Sequence, residues 1–203
     1  MVKLAIINYE MGNLKSISCG LEKVGAIVEI TKNEKVIIES DGIVIPGVGA
    51  FGDAMKNLSA LQPLILEQIN MGKPFLGICL GFQLIFDEST EFGRHDGLGI
   101  LKGRVVKLPE TVVIPHMGWN QIIIQNFENP IMEGIYNKSY MYFVHSFYPI
   151  PHDPEIIVAT TDYGIEFPSI VGRDNIFATQ FHPEKSSTAG LQILRNFLNY
   201  IKK

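Results

Sequence analysis

The chain has 203 residues, 46% of them hydrophobic and 19% charged, with a formal net charge of -4; these are the proportions of a chain that buries a substantial core, not of a disordered one. Mild acidity without long like-charge runs excludes an electrostatic footprint for nucleic acid or an anionic membrane. With only Cys19 and Cys79, a disulfide scaffold is excluded and a reducing, cytoplasmic setting is expected.

The length predicts one domain over residues 1–203. The N-terminal MVKLAIINYEMGN is too short in apolar residues for a signal peptide. The run FLGICLGFQLIF, Phe75 to Phe86, falls short of the roughly 20 residues a bilayer requires.

In chain order, KLAIINY reads as a buried strand. A helix capped by Asn13 follows, with Leu14, Ile17, Leu21 and Val24 at helical spacing and Gly25 as its stop. AIVEIT is the second strand, a short helical piece comes next, and GIVIPG is the third strand. IPGVGAFGDAM reads as a glycine-rich loop, and LQPLILEQINMGK as a helix with Pro63 near its start and Gly72 at its end. PFLGIC is then a strand running directly into a helix over LGFQLIFDE. Strand and helix alternating in this way predict a parallel sheet with helices on both faces. The second half, KGRVVKLP, WNQIIIQ, YMYFVHSFYPI, EIIVATTDYG and SIVGRDNIFATQF, reads as five strands that extend the sheet in antiparallel or mixed fashion. TAGLQILRNFLNYIKK closes it as an amphipathic helix, with Leu191, Leu194, Phe197, Leu198 and Ile201 on one face.

Cys79 falls at the strand-to-helix junction in Gly-Ile-Cys-Leu-Gly. A cysteine in an apolar run is ordinarily a small buried hydrophobe. Here the flanking Gly77 and Gly81 match the cysteine counterpart of a nucleophile elbow, whose turn leaves no room for a Cβ on either side. The helix N-terminus behind it favours the thiolate. A thiol nucleophile requires a base, and the base an orienting partner. His182 and Glu184, in QFHPEKS, stand two apart; in extended backbone they share a side, which places a carboxylate beside the imidazole. Cys19 has no such context and reads as structural. His95 and His152 read as surface residues, whereas His116 and His145 stay undecided between structure and pocket. No pair of histidines has ligand spacing, so no metal is expected. Gly47, Gly49 and Gly52 in the loop after the third strand let backbone approach a ligand at the sheet edge that bears Cys79. The loop lacks both the Gly-Lys-Ser/Thr ending of a phosphate loop and the dinucleotide spacing.

Together GICLGFQ, QFHPEKS and PGVGAFGDAM resemble the triad-type (class I) glutamine amidotransferases. With PHMGWN and NYEMGNL, the resemblance is strongest to the branch that serves histidine biosynthesis, and it spans essentially the whole chain. It implies a flavodoxin-like α/β fold, no cofactor, and hydrolysis of glutamine through a glutamyl thioester on Cys79, with His182 as base and acid and Glu184 as its orienter. It implies an oxyanion site from the N–H groups of Leu80 and of Val48, the latter after the Gly47-Val48 peptide turns inward. Gly49 and Gln83 match positions that hold glutamine, and His145, Ser146 and Phe147 match the strand lining that pocket. The implied partner is a cyclase subunit of (β/α)8-barrel type that receives the ammonia in a heterodimer, with Asn13, Trp119 and Lys185 at interface positions. Two departures are Phe82, where methionine is common, and SSTAG after Lys185, which puts the local loop shape in question. A paralogous glutaminase feeding another synthase, such as one amidating a sugar, and a stand-alone Cys-His-Glu hydrolase are the alternatives.

Overall fold

The computed structural model describes residues 1–203. Strands β1 (Lys3–Ile7), β2 (Ile27–Thr31), β3 (Gly42–Gly47) and β4 (Phe75–Cys79) alternate with helices α1 (Leu14–Lys23), α2 (Glu34–Glu39), α3 (Phe51–Leu58) and α4 (Gln62–Asn70); α5 (Leu80–Leu84) follows β4 directly. Short β5 (Glu88–Ser89) and β6 (His95–Asp96) precede β7 (Gly103–Lys107), β8 (His116–Gln121), β9 (Ile123–Ile124), β10 (Tyr140–His145) and β11 (Phe147–Pro151). The chain ends in β12 (Ile157–Asp162), β13 (Glu166–Arg173), β14 (Ile176–Thr179) and helix α6 (Ser187–Ile201).

The main sheet has eight strands in the order β2-β1-β3-β4-β14-β13-β12-β9. Its pairings from β2 to β14 are parallel and those from β14 to β9 antiparallel, the mixed sheet the sequence predicts. The pleat sorts the apolar runs. Leu4, Ile6, Val44, Leu76 and Ile78 pack with Ile17 and Leu21 of α1 and Ile193, Leu194 and Phe197 of α6. Their alternates Ala5, Ile7, Ile43, Ile45 and Phe75 pack with Ile37, Ala54, Leu58 and Ile65 on the other face. Strands buried on both sides explain why those runs are continuously apolar. No helix is long and apolar enough to cross a membrane.

Five expectations need correction. WNQIIIQ is not one strand: it breaks at Ile122, its first half lying in β8, which pairs with β10 outside the main sheet, and its second in β9, which pairs with β12 at the sheet edge. The glycine-rich stretch is not all loop, because α3 begins at Phe51, whose N–H is capped at 2.6 Å by Glu91 Oε2 from 40 residues away. The helix expected over LGFQLIFDE stops at Leu84, since the carbonyls of Leu84, Ile85 and Phe86 accept from Leu98, Leu101 and Gly99 instead of continuing the ladder. YMYFVHSFYPI breaks at Ser146. Its first half pairs with β8 in a two-stranded ribbon, and its second with β7 in a separate four-stranded sheet with β5 and β6. SIVGRDNIFATQF is a hairpin that turns at Asp174, a residue with φ of 50°; its return strand, β14, lies parallel to β4 and delivers the chain toward His182 beside Cys79.

Candidate active site

Cys79 ends β4 with φ 55° and ψ -104°, a conformation that costs an ordinary residue on the order of 1–3 kcal/mol. Its neighbours hold it there. A Cβ on Gly77 would sit 2.7 Å from Gly81 O, and one on Gly81 1.7 Å from Ile45 O. Gly47 lies opposite Cys79 in the sheet register; a Cβ there would lie 2.2 Å from the hydroxyl of buried Tyr9, which donates to Pro46 O at 2.6 Å. Gly49 adopts φ 114°, so the backbone after β3 turns across the end of the sheet at the thiol.

His182 and Glu184 meet as expected but by another backbone route. Pro183–Lys185 form a 3-10 turn and not extended chain, and within it His182 Nδ1–H donates to Glu184 Oε1 at 3.0 Å, with both side chains sealed from solvent. The turn is tied down at several points. His182 N–H donates to Tyr142 O at 3.0 Å, and Ser186 Oγ donates to His182 O at 2.6 Å while accepting from Tyr142 N–H at 2.9 Å. Helix α1 packs closely enough at Gly20 that a Cβ there would meet Glu184 Cβ at 2.9 Å. The SSTAG segment accommodates this geometry, with Ser186 as the tether and Ser187 at φ 53° opening α6.

Cys79 Sγ contacts Val144 O at 3.7 Å. His182 Nε2 is buried and makes no hydrogen bond, yet the sulfur is near enough to influence its charge. Burial opposes the imidazolium, but Cys79 and Glu184 together outweigh it and raise the His182 pKa to about 9. Because the folded pKa exceeds the unfolded one, near 6.5, this charge stabilises the fold fully below about pH 6.5 and the contribution is lost as pH rises through about 9. The imidazole resonances of His182 are expected to titrate near pH 9 in the wild type and at clearly lower pH in Glu184→Gln. An unmoved midpoint would remove Glu184 as the imidazolium's support.

A cavity of about 240 Å³ opens over the sulfur, lined among others by Val48, Gly49, Cys79, Leu80, Gln83 and Glu91. His145, Ser146 and Phe147 also line it. The family model for class-I glutamine amidotransferases matches residues 5–201. The chain belongs to that family. Among class-I glutamine amidotransferases it is 50% identical to the imidazole glycerol phosphate synthase subunit HisH of Syntrophotalea carbinolica, over 96% of this chain and 98% of that protein. It is 49% identical to the subunit of the same name from Aquifex aeolicus, over 100% and 99%. A solved structure of PurLQS from Thermotoga maritima superposes with TM-score 0.79 at 18% identity, covering 98% of this chain and 99% of that one; that likeness speaks to the fold alone.

The two undecided histidines form a buried pair in this amidotransferase, with His116 Nδ1 2.9 Å from His145 Nε2. Since Phe147 O can only accept, His145 donates to it from Nδ1 at 3.0 Å, and its Nε2 accepts the hydrogen bond that His116 Nδ1–H donates. Burial lowers the pKa values of His116 and His145 to about 4 and about 3, so both are neutral, His145 lining the pocket and His116 bracing it from behind. His95 is half-buried, not a free surface residue; its ring lies over Gly52, where a Cβ would come within 2.7 Å. His152 is exposed, and so is Cys19. Phe82 is fully buried and edge-on to Phe86 at 5.7 Å, filling apolar space.

Away from the cavity, Trp119 is 53% exposed on β8 and Lys185 is exposed at the end of the Pro183–Lys185 turn. Asn13 Oδ1 caps α1 by accepting from Ser16 N–H at 3.2 Å. Two residues at the site, one lining the cavity and one buried behind the sulfur, carry no sequence signal strong enough to be singled out. Glu91 lies in a polar turn and reaches the cavity only through the β5–β6 hairpin. Gln180 is a polar residue in the apolar stretch IFATQF, fully buried and in contact with the sulfur. Its position two residues before His182, just past the end of a largely apolar strand, is the available clue.

Proposed function

We propose that this chain is the glutaminase subunit of an imidazole glycerol phosphate synthase. The observation that carries the reading is the elbow thiol set beside a buried, carboxylate-backed imidazole at the floor of a cavity of amino-acid size; the relatives' names supply the pathway. Cys79 Sγ attacks the side-chain carbonyl carbon of glutamine, and the electron pair moves onto oxygen. His182, charged in the resting pair, gives its proton to the departing amide nitrogen, which leaves as ammonia. Water, deprotonated by the now neutral imidazole, then hydrolyses the thioester to glutamate. Glu184 fixes the imidazole so that Nε2 faces the sulfur. The oxyanion is held by Leu80 N–H and, after the Gly47-Val48 peptide turns inward, by Val48 N–H. Gly49, Gln83 and the Ser146-Phe147 wall hold glutamine, and the Glu91 carboxylate faces its ammonium.

Residues 1–203 serve as a single amidotransferase domain in this reading, supported by one sheet whose two faces carry both core clusters. Ammonia released in water is mostly protonated and a poor nucleophile, so a second subunit must receive it under cover. That subunit is a (β/α)8-barrel cyclase, which forms imidazole glycerol phosphate and aminoimidazole carboxamide ribonucleotide in the cytoplasm. Exposed Trp119, Lys185 and the α1 cap at Asn13 are its contact points, with Met117, exposed on the same strand as Trp119, adding apolar area.

The deciding measurement is glutamine turnover with and without the cyclase and its nucleotide ligand. Completion of a two-donor oxyanion site is expected to stimulate turnover on the order of 10²–10³-fold. Full activity alone would indicate a stand-alone hydrolase, and turnover indifferent to this cyclase would indicate a paralogue that serves another synthase.

A further inference from the structure

Gln180 sits where β14 has ended and the catalytic turn has not begun, its backbone N–H donating to Ser169 O at 2.9 Å and its side chain fully buried. A buried amide is costly unless both ends are satisfied. Its Oε1 lies 3.2 Å from Gln83 Nε2, and its Nε2 lies 3.9 Å from Cys79 Sγ. The sense of these contacts is fixed from outside. Phe147 O is a carbonyl and only accepts, so the Gln83 group 2.8 Å from it is the NH2. The same NH2 faces Gln180, which must therefore present its oxygen there. Its own NH2 is left pointing at the sulfur.

The other contact recorded for the sulfur works in the opposite direction. Val144 O, at 3.7 Å, can accept from a neutral thiol but repels a thiolate. Ionisation of Cys79 gives up the bond to Val144 O and gains the Gln180 N–H, beside the imidazolium of His182. We propose that Gln180 is a further catalytic residue of the glutaminase reaction, an N–H donor that stabilises the Cys79 thiolate and fixes its rotamer. It is held in the donating sense by the relay through Gln83 to Phe147 O. The role deepens the glutaminase reading and rests on it.

The test is the pH dependence of Cys79 alkylation by iodoacetamide in the full chain, followed on the Cys79 peptide by mass spectrometry so that exposed Cys19 does not contribute. It requires neither glutamine nor a partner. Loss of a hydrogen bond to a charged group is expected to raise the alkylation midpoint of Gln180→Leu by about one pH unit, a tenfold change in the ionisation constant. Gln180→Glu keeps the acceptor for Gln83 and sets an anion against the sulfur, so its midpoint should rise at least as far; being nearly isosteric, it also serves if the leucine variant folds poorly. Gln83→Leu, which frees Gln180 to turn over, should give a smaller rise. Midpoints equal to wild type in folded Gln180 variants, with only the plateau rate altered, would reduce Gln180 to packing and overturn the proposal. A wild type that alkylates normally but hydrolyses no glutamine with the cyclase present would instead refute the glutaminase reading.

Discussion

Cys79→Ala is expected to abolish glutamine-dependent synthesis by the two-subunit enzyme while leaving synthesis from added ammonium salts near the wild-type rate. Loss of the attacking atom from a triad costs on the order of 10⁶ in turnover, and the one hydroxyl among the cavity's lining residues, that of Ser146, has neither the elbow nor a buried imidazole pair of its own to take over. The fold should persist. The side chain is only one small group at the end of β4, and alanine meets the same backbone strain as cysteine at φ 55°. Ammonium bypasses the step that needs the sulfur, so the cyclase remains fully supplied. Loss of both activities in the variant would mean that the thiol supports the structure, and retained glutamine dependence would mean that the nucleophile lies elsewhere.

The parts of this site that are readable in one dimension are those that depend on near neighbours. The elbow is written in five residues, and its glycines are required by contacts with the adjacent strand that any elbow would make. The approach of Glu184 to His182 was expected from a spacing of two in extended chain and is achieved by a tight turn, because Pro183 and the tether of Ser186 to Tyr142 bend the backbone there. What could not be read depends on distant contacts. The start of α3 is set by a carboxylate 40 residues away. The break at Ser146 is silent in the alternation of YMYFVHSFYPI, because both halves remain strands and only their partners change, β8 for one and β7 for the other. The pairing of His116 with His145 follows from a ribbon register in which they stand directly opposite, and the orientation of Gln180 from a carbonyl 33 positions earlier in the chain.

Gly81→Ala is expected to be the most damaging single methyl that can be added near the site, and through folding, not chemistry. Gly81 is buried in the first turn of α5, where that helix lies against β3, and the added Cβ would fall 1.7 Å from Ile45 O and 2.8 Å from Ile45 C. These are backbone atoms in the middle of a strand bonded on both sides, to β1 and β4, so neither can move without disturbing the centre of the sheet. The alternative is for α5 to lift away, which would pull Leu80 and Phe82 out of the core cluster they share with Phe51 and Phe75. Overpacking against such a rigid neighbour belongs to the small class of substitutions costing more than about 4 kcal/mol. Gly72→Ala is the control: its Cβ meets nothing within 4 Å, and only the backbone strain at φ 90° opposes it, a penalty of about 1–2 kcal/mol. Urea unfolding of the two variants should therefore place Gly81→Ala well below Gly72→Ala, or find it insoluble. Equal midpoints would show that α5 does not rest on β3, and with that contact would go the account of why Cys79 is held in its strained conformation.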